Sequence, residues 1–155
     1  MDMNTFNKNI EILNNALNDF LQPFDCEATL GTDFEYFYPL SLIRYTLVVT
    51  DIQEDSFLNF CESLFPDIKA DIFLWSFLHE LGHHETLDDF DDMTHMVYHS
   101  IINSDIRLSD EYYYNLPIEK AATEWAGNYI LTHAKDVYKL WQKIQPIIRQ
   151  IYQEN

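Results

Sequence analysis

The sequence predicts an α+β fold that is mainly helical, and three observations carry that prediction. Apolar residues recur at the 3.6-residue period of a helix over most of the chain. One stretch before the middle of the chain is instead rich in aromatic and β-branched residues, which is typical of strands. Glycine and proline are few, and 155 residues are enough to bury a core, so we expect a single domain over residues 1–155.

The N-terminal part of the chain predicts one helix followed by two strands. Residues 4–22 place apolar side chains on one face of a helix, which Asn4 or Thr5 can cap and which ends at the following proline. Residues 34–38 and 43–50 form the aromatic and β-branched stretch. We expect these two segments to pair as a small antiparallel sheet.

Two helices are predicted in the middle of the chain. A short helix can begin at Asp55 or Ser56 and ends near Pro66. The next begins at Asp67 or the residue after it and is strongly apolar from residue 72 to residue 78. Because a helix that is apolar nearly all round is usually buried, we expect this one in the core.

The C-terminal part of the chain is predicted to be helical. The expected helices cover residues 92–104, 118–133 and 137–151. Tyr112-Tyr113-Tyr114 is predicted to lie in a loop, and Pro146 to kink the last helix. His95 and His99 are four residues apart, but no glutamate follows the first, so we interpret them as structural or surface residues.

The strongly apolar helix carries the motif His79-Glu80-Leu81-Gly82-His83. Histidines four residues apart lie one turn apart on the same face, so both imidazoles can reach one tetrahedral zinc ion. Glu80 is then placed to take a proton from a water that the metal activates. The alternative is a pair of core histidines hydrogen-bonded to the backbone, but the motif and its apolar context favour a zinc site.

A catalytic zinc ion usually has three protein ligands, and the sequence offers two candidates for the third. Asp89 lies in the run after the motif, but the chain has Thr86 where a glycine would let it turn back sharply. Glu119 lies on a predicted helix whose same face carries small residues such as Ala122 and Ala126. Small residues permit close approach to the metal-binding helix, which favours Glu119, although both stay candidates at this point.

Charge and cysteine content restrict the classes of protein. The formal net charge of −17 disfavours direct binding to nucleic acid, because phosphates would be repelled. Cys26 and Cys61 are isolated and form neither a disulfide framework nor a zinc ribbon. The start of the chain has no signal-peptide pattern, and no apolar run approaches the roughly 20 residues of a membrane span. We therefore expect a cytoplasmic protein that binds neither nucleic acid nor membrane.

The motifs resemble those of the ImmA/IrrE family of zinc metallopeptidases. That family pairs His-Glu-x-Gly-His with a later helix patterned Glu-x-x-Ala-(Asn/Asp)-x-(Phe/Trp)-Ala. The matching residues are His79, Glu80, Gly82 and His83 in the first motif and Glu119, Ala122, Trp125 and Ala126 in the second. The resemblance covers residues 70–132 best. It implies a zincin-like, gluzincin-type domain in which the small antiparallel sheet lies beside the metal-binding helix.

The resemblance also implies the roles of individual residues. His79, His83 and Glu119 would hold Zn2+, and Glu80 would be the catalytic base. Thr123 departs from the family pattern, in which Asn or Asp at that position is expected to orient a zinc-bound histidine. A threonine hydroxyl can accept the same hydrogen bond, though more weakly. Alternatively, a neighbour such as Glu124 or Asp105 can orient the histidine in its place.

The predicted function is zinc-dependent endopeptidase activity on a specific protein or peptide. By resemblance, the substrate is a helix-turn-helix repressor that controls a mobile element or a stress response. One of Tyr112, Tyr113 and Tyr114, or His84, is a candidate donor to the developing oxyanion. The alternative is a non-catalytic binding protein that keeps the zinc fold as a scaffold, such as a phage or toxin–antitoxin component. Glu80 favours the enzyme, because a structural zinc ion has no use for a base.

Overall fold

The computed structural model describes residues 2–47, 51–104 and 108–154, and the chain in these ranges is mainly helical. The elements in chain order are α1 (Met3–Leu21), β1 (Glu27–Leu30), β2 (Glu35–Phe37), β3 (Leu42–Tyr45), α2 (Asp51–Leu64), α3 (Ile72–Thr86), α4 (Asp92–Ile102), α5 (Asp110–Tyr114), α6 (Pro117–Thr132) and α7 (Ala134–Glu154). The α+β, mainly helical fold predicted from the sequence is confirmed. Contacts divide the chain into two compact units, Met1–Val49 with Thr132–Asn155, and Thr50–Leu131.

The first unit joins α1, the sheet and α7. The helix α1 begins one residue before the predicted caps, because the Asp2 carboxylate accepts a hydrogen bond from the Thr5 amide at 2.7 Å. Its apolar face is buried, and α7 likewise buries the apolar side of its helix through residues such as Ile144. Pro146 lies inside α7, which runs through to Glu154.

The sheet is mixed, with the order β1-β3-β2. The predicted antiparallel pair is confirmed as β2 and β3. The sheet is not purely antiparallel as predicted, because β1, which was missed, pairs parallel with β3. The side chain of Asn18 holds β1 against α1, accepting from the Ala28 amide at 2.8 Å and donating to the Ala28 carbonyl at 3.0 Å. The predicted strand 43–50 ends at Tyr45, and its residues 48–50 lie outside the described ranges.

The second unit is built around α3. Asp71 caps this helix by accepting from the Phe73 amide at 2.8 Å, so the predicted start at Asp67 is about four residues too early. From Phe73 to His83 every residue except Ser76 is buried. This burial confirms that the apolar helix lies in the core and forces its polar side chains to find partners inside the unit.

The prediction of a loop at Tyr112-Tyr113-Tyr114 is wrong. These residues form the second half of α5, whose start is capped by the Ser109 hydroxyl accepting from the Tyr112 amide at 3.2 Å. Asp110 and Glu111 in the first turn further stabilise the helix start through the helix dipole. Within the described part of the chain, no helix is long and apolar enough to cross a membrane.

Candidate metal centre

The side chains of His79, His83 and Glu119 converge inside the second unit. One possible ligand atom from each lies within 4.8 Å of the others. Nε2 of His79 and Nε2 of His83 are each 3.2 Å from Oε1 of Glu119, and Nε2 of His83 is 3.0 Å from Oε2. All three side chains are buried, with 6%, 8% and 3% of their residue surface exposed. Two imidazoles and a carboxylate around one point could hold a metal ion.

Two helices in direct backbone contact bring the three groups together. The helix α3 places the two histidine rings one turn apart, with centroids separated by 4.7 Å. At Gly82, between them, an added Cβ atom would lie 2.3 Å from the carbonyl oxygen of Ala122 on α6. The absence of a side chain at Gly82 therefore allows α6 to approach until Glu119, one turn before Ala122, reaches the histidines.

A hydroxyl on α6 fixes the ring of His79. Oγ1 of Thr123 lies 2.9 Å from Nδ1 of His79 and 3.4 Å from the carbonyl oxygen of Glu119. If the hydroxyl donates to that carbonyl, its lone pairs face Nδ1, which then carries the proton and leaves Nε2 as a ligand atom. Thr123 thus supplies the orienting contact expected at its position, whereas Glu124 is exposed and Asp105 lies outside the described ranges.

The site favours a positive charge between its three side chains. Burial alone would lower the pKa of His83, but the adjacent Glu119 carboxylate outweighs burial and raises that pKa. Burial would likewise raise the pKa of Glu119, but the contacts with His83 and His79 lower it well below the usual range. Nδ1 of His83 is buried and has no hydrogen-bond partner among the described residues. A metal ion can replace the proton that this arrangement otherwise attracts.

Tyr98 on α4 holds Oε2 of Glu119, the oxygen that also lies 3.0 Å from Nε2 of His83. Its hydroxyl donates to Oε2 at 2.9 Å, which leaves Oε1 as the oxygen equidistant from the two imidazoles. Burial and the neighbouring carboxylate raise the pKa of Tyr98, so the hydroxyl stays a protonated donor. Sequence reasoning missed this residue, since nothing in its spacing distinguishes it from other half-buried aromatic residues on an amphipathic helix.

Among the predicted oxyanion donors, Tyr113 is the one at the site. Burial first, and then the charge of Glu119, raises the pKa of Tyr113, and Glu80 adds to the same effect. Tyr113 also interacts with Tyr98. The hydroxyl of Tyr113 therefore lies in the field of both carboxylates that the sequence assigns to the metal site.

The other predicted donors are held elsewhere. Tyr112 is 57% exposed, and Tyr114 packs its ring against Phe57 and Phe60 at centroid distances of 5.5 and 5.4 Å. Phe57 also lies edge-on to His79 at 5.3 Å and so covers one side of the metal ligands with an apolar ring. His84 is half-buried at the position after the motif.

Asp89, the second candidate for the third ligand, does not join the cluster. It is exposed at the end of a short 3₁₀ helix, Leu87–Asp89, and within the described ranges the only group of three potential ligands is the one that contains Glu119. Nε2 of His95 lies 2.8 Å from the carbonyl oxygen of Leu87, which confirms the structural interpretation of that histidine.

The fold and the site define a mainly helical α+β protein with a buried His-His-Glu centre that could hold a metal ion. Glu80 is buried beside this centre, and its charge acts on His83 and Tyr113. Comparison of the chain with protein-family models, with curated proteins and with solved structures finds no match. The resemblance to ImmA/IrrE peptidases therefore depends on the two motifs alone.

Proposed function

We propose that the chain is a zinc-dependent endopeptidase of the cytoplasm, with a zincin-like fold, that cleaves a specific protein. The observation that carries the proposal is the convergence of His79, His83 and Glu119 next to a further buried carboxylate, Glu80, outside the ligand group. Structural zinc sites usually have four protein ligands, whereas catalytic sites have three and an open position. Three ligands beside a separate base are the arrangement that hydrolysis requires.

The donor set fits zinc. Two imidazole nitrogens and one carboxylate oxygen are ordinary zinc ligands, and Oε1 of Glu119 is equally distant from both rings. A bound zinc ion supplies a Lewis acid that polarises the scissile carbonyl and lowers the pKa of a water towards about 7. Thr123 and Tyr98 hold His79 and Glu119 in the required orientation through hydrogen bonds of 2.9 Å each.

Two residues beside the ligands have separate roles: Glu80 transfers protons, and Tyr113 donates a hydrogen bond. Glu80 accepts the proton of the attacking water and later delivers it to the leaving amine. Tyr113 remains protonated and donates to the carbonyl oxygen as it becomes negative. By the motif resemblance the substrate is a helix-turn-helix repressor, and a DNA-binding protein of that kind offers the positive charge that a chain of net charge −17 attracts.

The test combines zinc content with cleavage of a purified helix-turn-helix repressor, the candidate substrate. The unmutated protein is expected to hold about one zinc ion per chain and to cleave the repressor. Glu80→Gln should retain zinc and lose cleavage, because an amide cannot accept the proton of the water. The matched control is Glu85→Gln, an exposed residue of the same helix, which should cleave normally.

Two results would contradict the proposal. A protein without metal after purification in zinc-containing buffer would remove the metal chemistry altogether. A zinc-containing protein that binds the repressor but cleaves it no faster than Glu80→Gln would identify the non-catalytic scaffold protein instead.

A further inference from the structure

The helix α4 is apolar but buries none of its residues. Met93, Met96, Val97 and Ile102 are all exposed large apolar side chains, with Met96 at 58% and Val97 at 49%. Exposed apolar clusters of this kind mark interaction sites on soluble proteins, and methionine adapts to varied apolar partners. The side of the second unit formed by α4 therefore has the composition of a binding surface.

The helix α4 and the chain around the start of α5 enclose a groove of about 660 Å³. Its apolar lining comes from Met96, Val97, Ile101, Leu108 and Tyr112, and three serines complete it. The lining residues of α4 recur at helical spacing, so they form one continuous face. A groove of this shape accepts the apolar side chains of a peptide segment.

Acidic residues lie on both sides of the groove-lining residues in the sequence. Those before α4 and in the first turn of α5 are exposed: Asp88, Asp89, Asp91, Asp92, Asp110 and Glu111. Residues 85–115 contain eight acidic residues and a single Lys or Arg. A segment that places apolar side chains in the groove would thus gain from lysine or arginine at its edges.

The two helices that line the groove also carry side chains that interact with the metal centre on α3 and α6. Val97 lines the groove and its neighbour Tyr98 donates to Glu119. Tyr112 lines the groove and its neighbour Tyr113 interacts with Tyr98. A chain bound in the groove would therefore contact the two helices whose other side chains, Tyr98 and Tyr113, interact with the metal centre.

We propose that the groove between α4 and α5 binds an amphipathic, basic segment of the protein substrate, with apolar side chains in the groove and Lys or Arg towards the acidic residues. The inference rests on the proposed peptidase function and names the chemistry of the substrate. Charge excludes the other occupants: a second copy of the chain also carries −17, and an anionic lipid surface would be repelled.

The test measures binding of synthetic peptides without any need for cleavage. The probe is a fluorescein-labelled helical peptide with leucine on one face and lysine on the other, titrated with full-length Glu80→Gln protein and followed by fluorescence anisotropy. A scrambled peptide of the same composition has the charge but no apolar face. The groove variant is Met96→Ser with Val97→Ser, and the control is Met3→Ser, an exposed methionine of α1 that neither lines the groove nor belongs to the apolar surface of α4.

The groove variant should bind the amphipathic peptide about tenfold more weakly, and the control should stay within about twofold of the parent. The scrambled peptide should also bind at least about tenfold more weakly. Equal binding by parent and groove variant, or equal binding of both peptides, would overturn the proposal. So would self-association of the protein that the groove variant abolishes, since the occupant would then be a second copy. The measurement uses no catalysis, so its failure leaves the peptidase proposal standing. A protein that binds the amphipathic peptide through the groove but cleaves no protein would keep the groove as a binding site and remove its role in substrate binding.

Discussion

Replacing Gly82 by alanine tests whether the close approach of α3 and α6 builds the metal centre. In an ordinary helix interior this replacement stabilises by about 1 kcal/mol, because alanine has the higher helix propensity. Here the new Cβ atom would lie 2.3 Å from the carbonyl oxygen and 2.9 Å from the carbonyl carbon of Ala122. The neighbouring atoms are backbone, so no side-chain rotation can relieve the contact.

The geometry sets the size of the effect. Ordinary van der Waals contact begins at 3.4 Å, so the two helices must separate by about 1.1 Å. Overpacking of this kind costs roughly 1–3 kcal/mol, which reverses the sign expected from propensity alone. The separation also moves Glu119 away from the histidines, while metal–ligand distances tolerate only about 0.2 Å. Subtracting the propensity gain of about 1 kcal/mol leaves a net destabilisation of up to about 2 kcal/mol, and we expect zinc affinity to fall at least about tenfold.

Two assays separate these effects. Guanidinium unfolding in the presence of a chelator gives the stability of the metal-free protein, and competition with a chromogenic chelator gives the zinc affinity. The matched control is Gly127→Ala on α6, where the new Cβ atom meets the ring of Phe65 rather than backbone near the candidate ligands. It should lose stability yet keep its zinc affinity within about twofold. A Gly82→Ala protein that gains stability and keeps its zinc affinity would refute the reasoning.

Three further predictions use the same chelator competition. Glu119→Ala should weaken zinc binding at least about a hundredfold and Asp89→Ala should leave it unchanged, and the opposite pattern would reassign the third ligand. Thr123→Val keeps the side-chain volume but removes the hydroxyl, so affinity should fall about 10–100-fold, and replacement by serine should restore most of it. Tyr98→Phe removes the hydrogen bond to a carboxylate and should lower affinity roughly tenfold, with the exposed Tyr112→Phe as a control that changes nothing.

The helix α3, which carries two of the three candidate metal ligands, could be predicted because its sequence signals are local. The histidine spacing, the apolar run and the neighbouring glutamate all lie within one helix, and the helical period alone places them on known faces. Glu119 was harder, since forty residues separate it from His79. The small residues after it, Ala122 and Ala126, favoured Glu119 as the third ligand, because a helix with such a face can pack this tightly against another backbone.

The parts that sequence reasoning missed depend on tertiary contacts. The strand β1 has the pattern Glu-Ala-Thr-Leu with Ala28 as its buried residue, and it is held by the amide of Asn18 on another element. The helix α5 is only five residues long, so its formation depends on the Ser109 cap and on packing rather than on periodicity. Tyr98 acquires its role only because Glu119 is delivered to it from α6.

The arrangement of α6 explains how a threonine can serve where Asn or Asp is expected. Its hydroxyl lies 3.4 Å from the carbonyl oxygen of Glu119 on the preceding turn, so the proton of Thr123 can point to that carbonyl and leave a lone pair for Nδ1 of His79. The same turn therefore supplies one candidate metal ligand, Glu119, and holds the hydroxyl that orients another, His79. Because neither role depends on the exposed residues of α4, changes in the groove should alter peptide binding without altering zinc affinity. Changes in Gly82 or Thr123 should alter zinc affinity without altering peptide binding, and this independence makes the metal centre and the substrate surface separable by mutation.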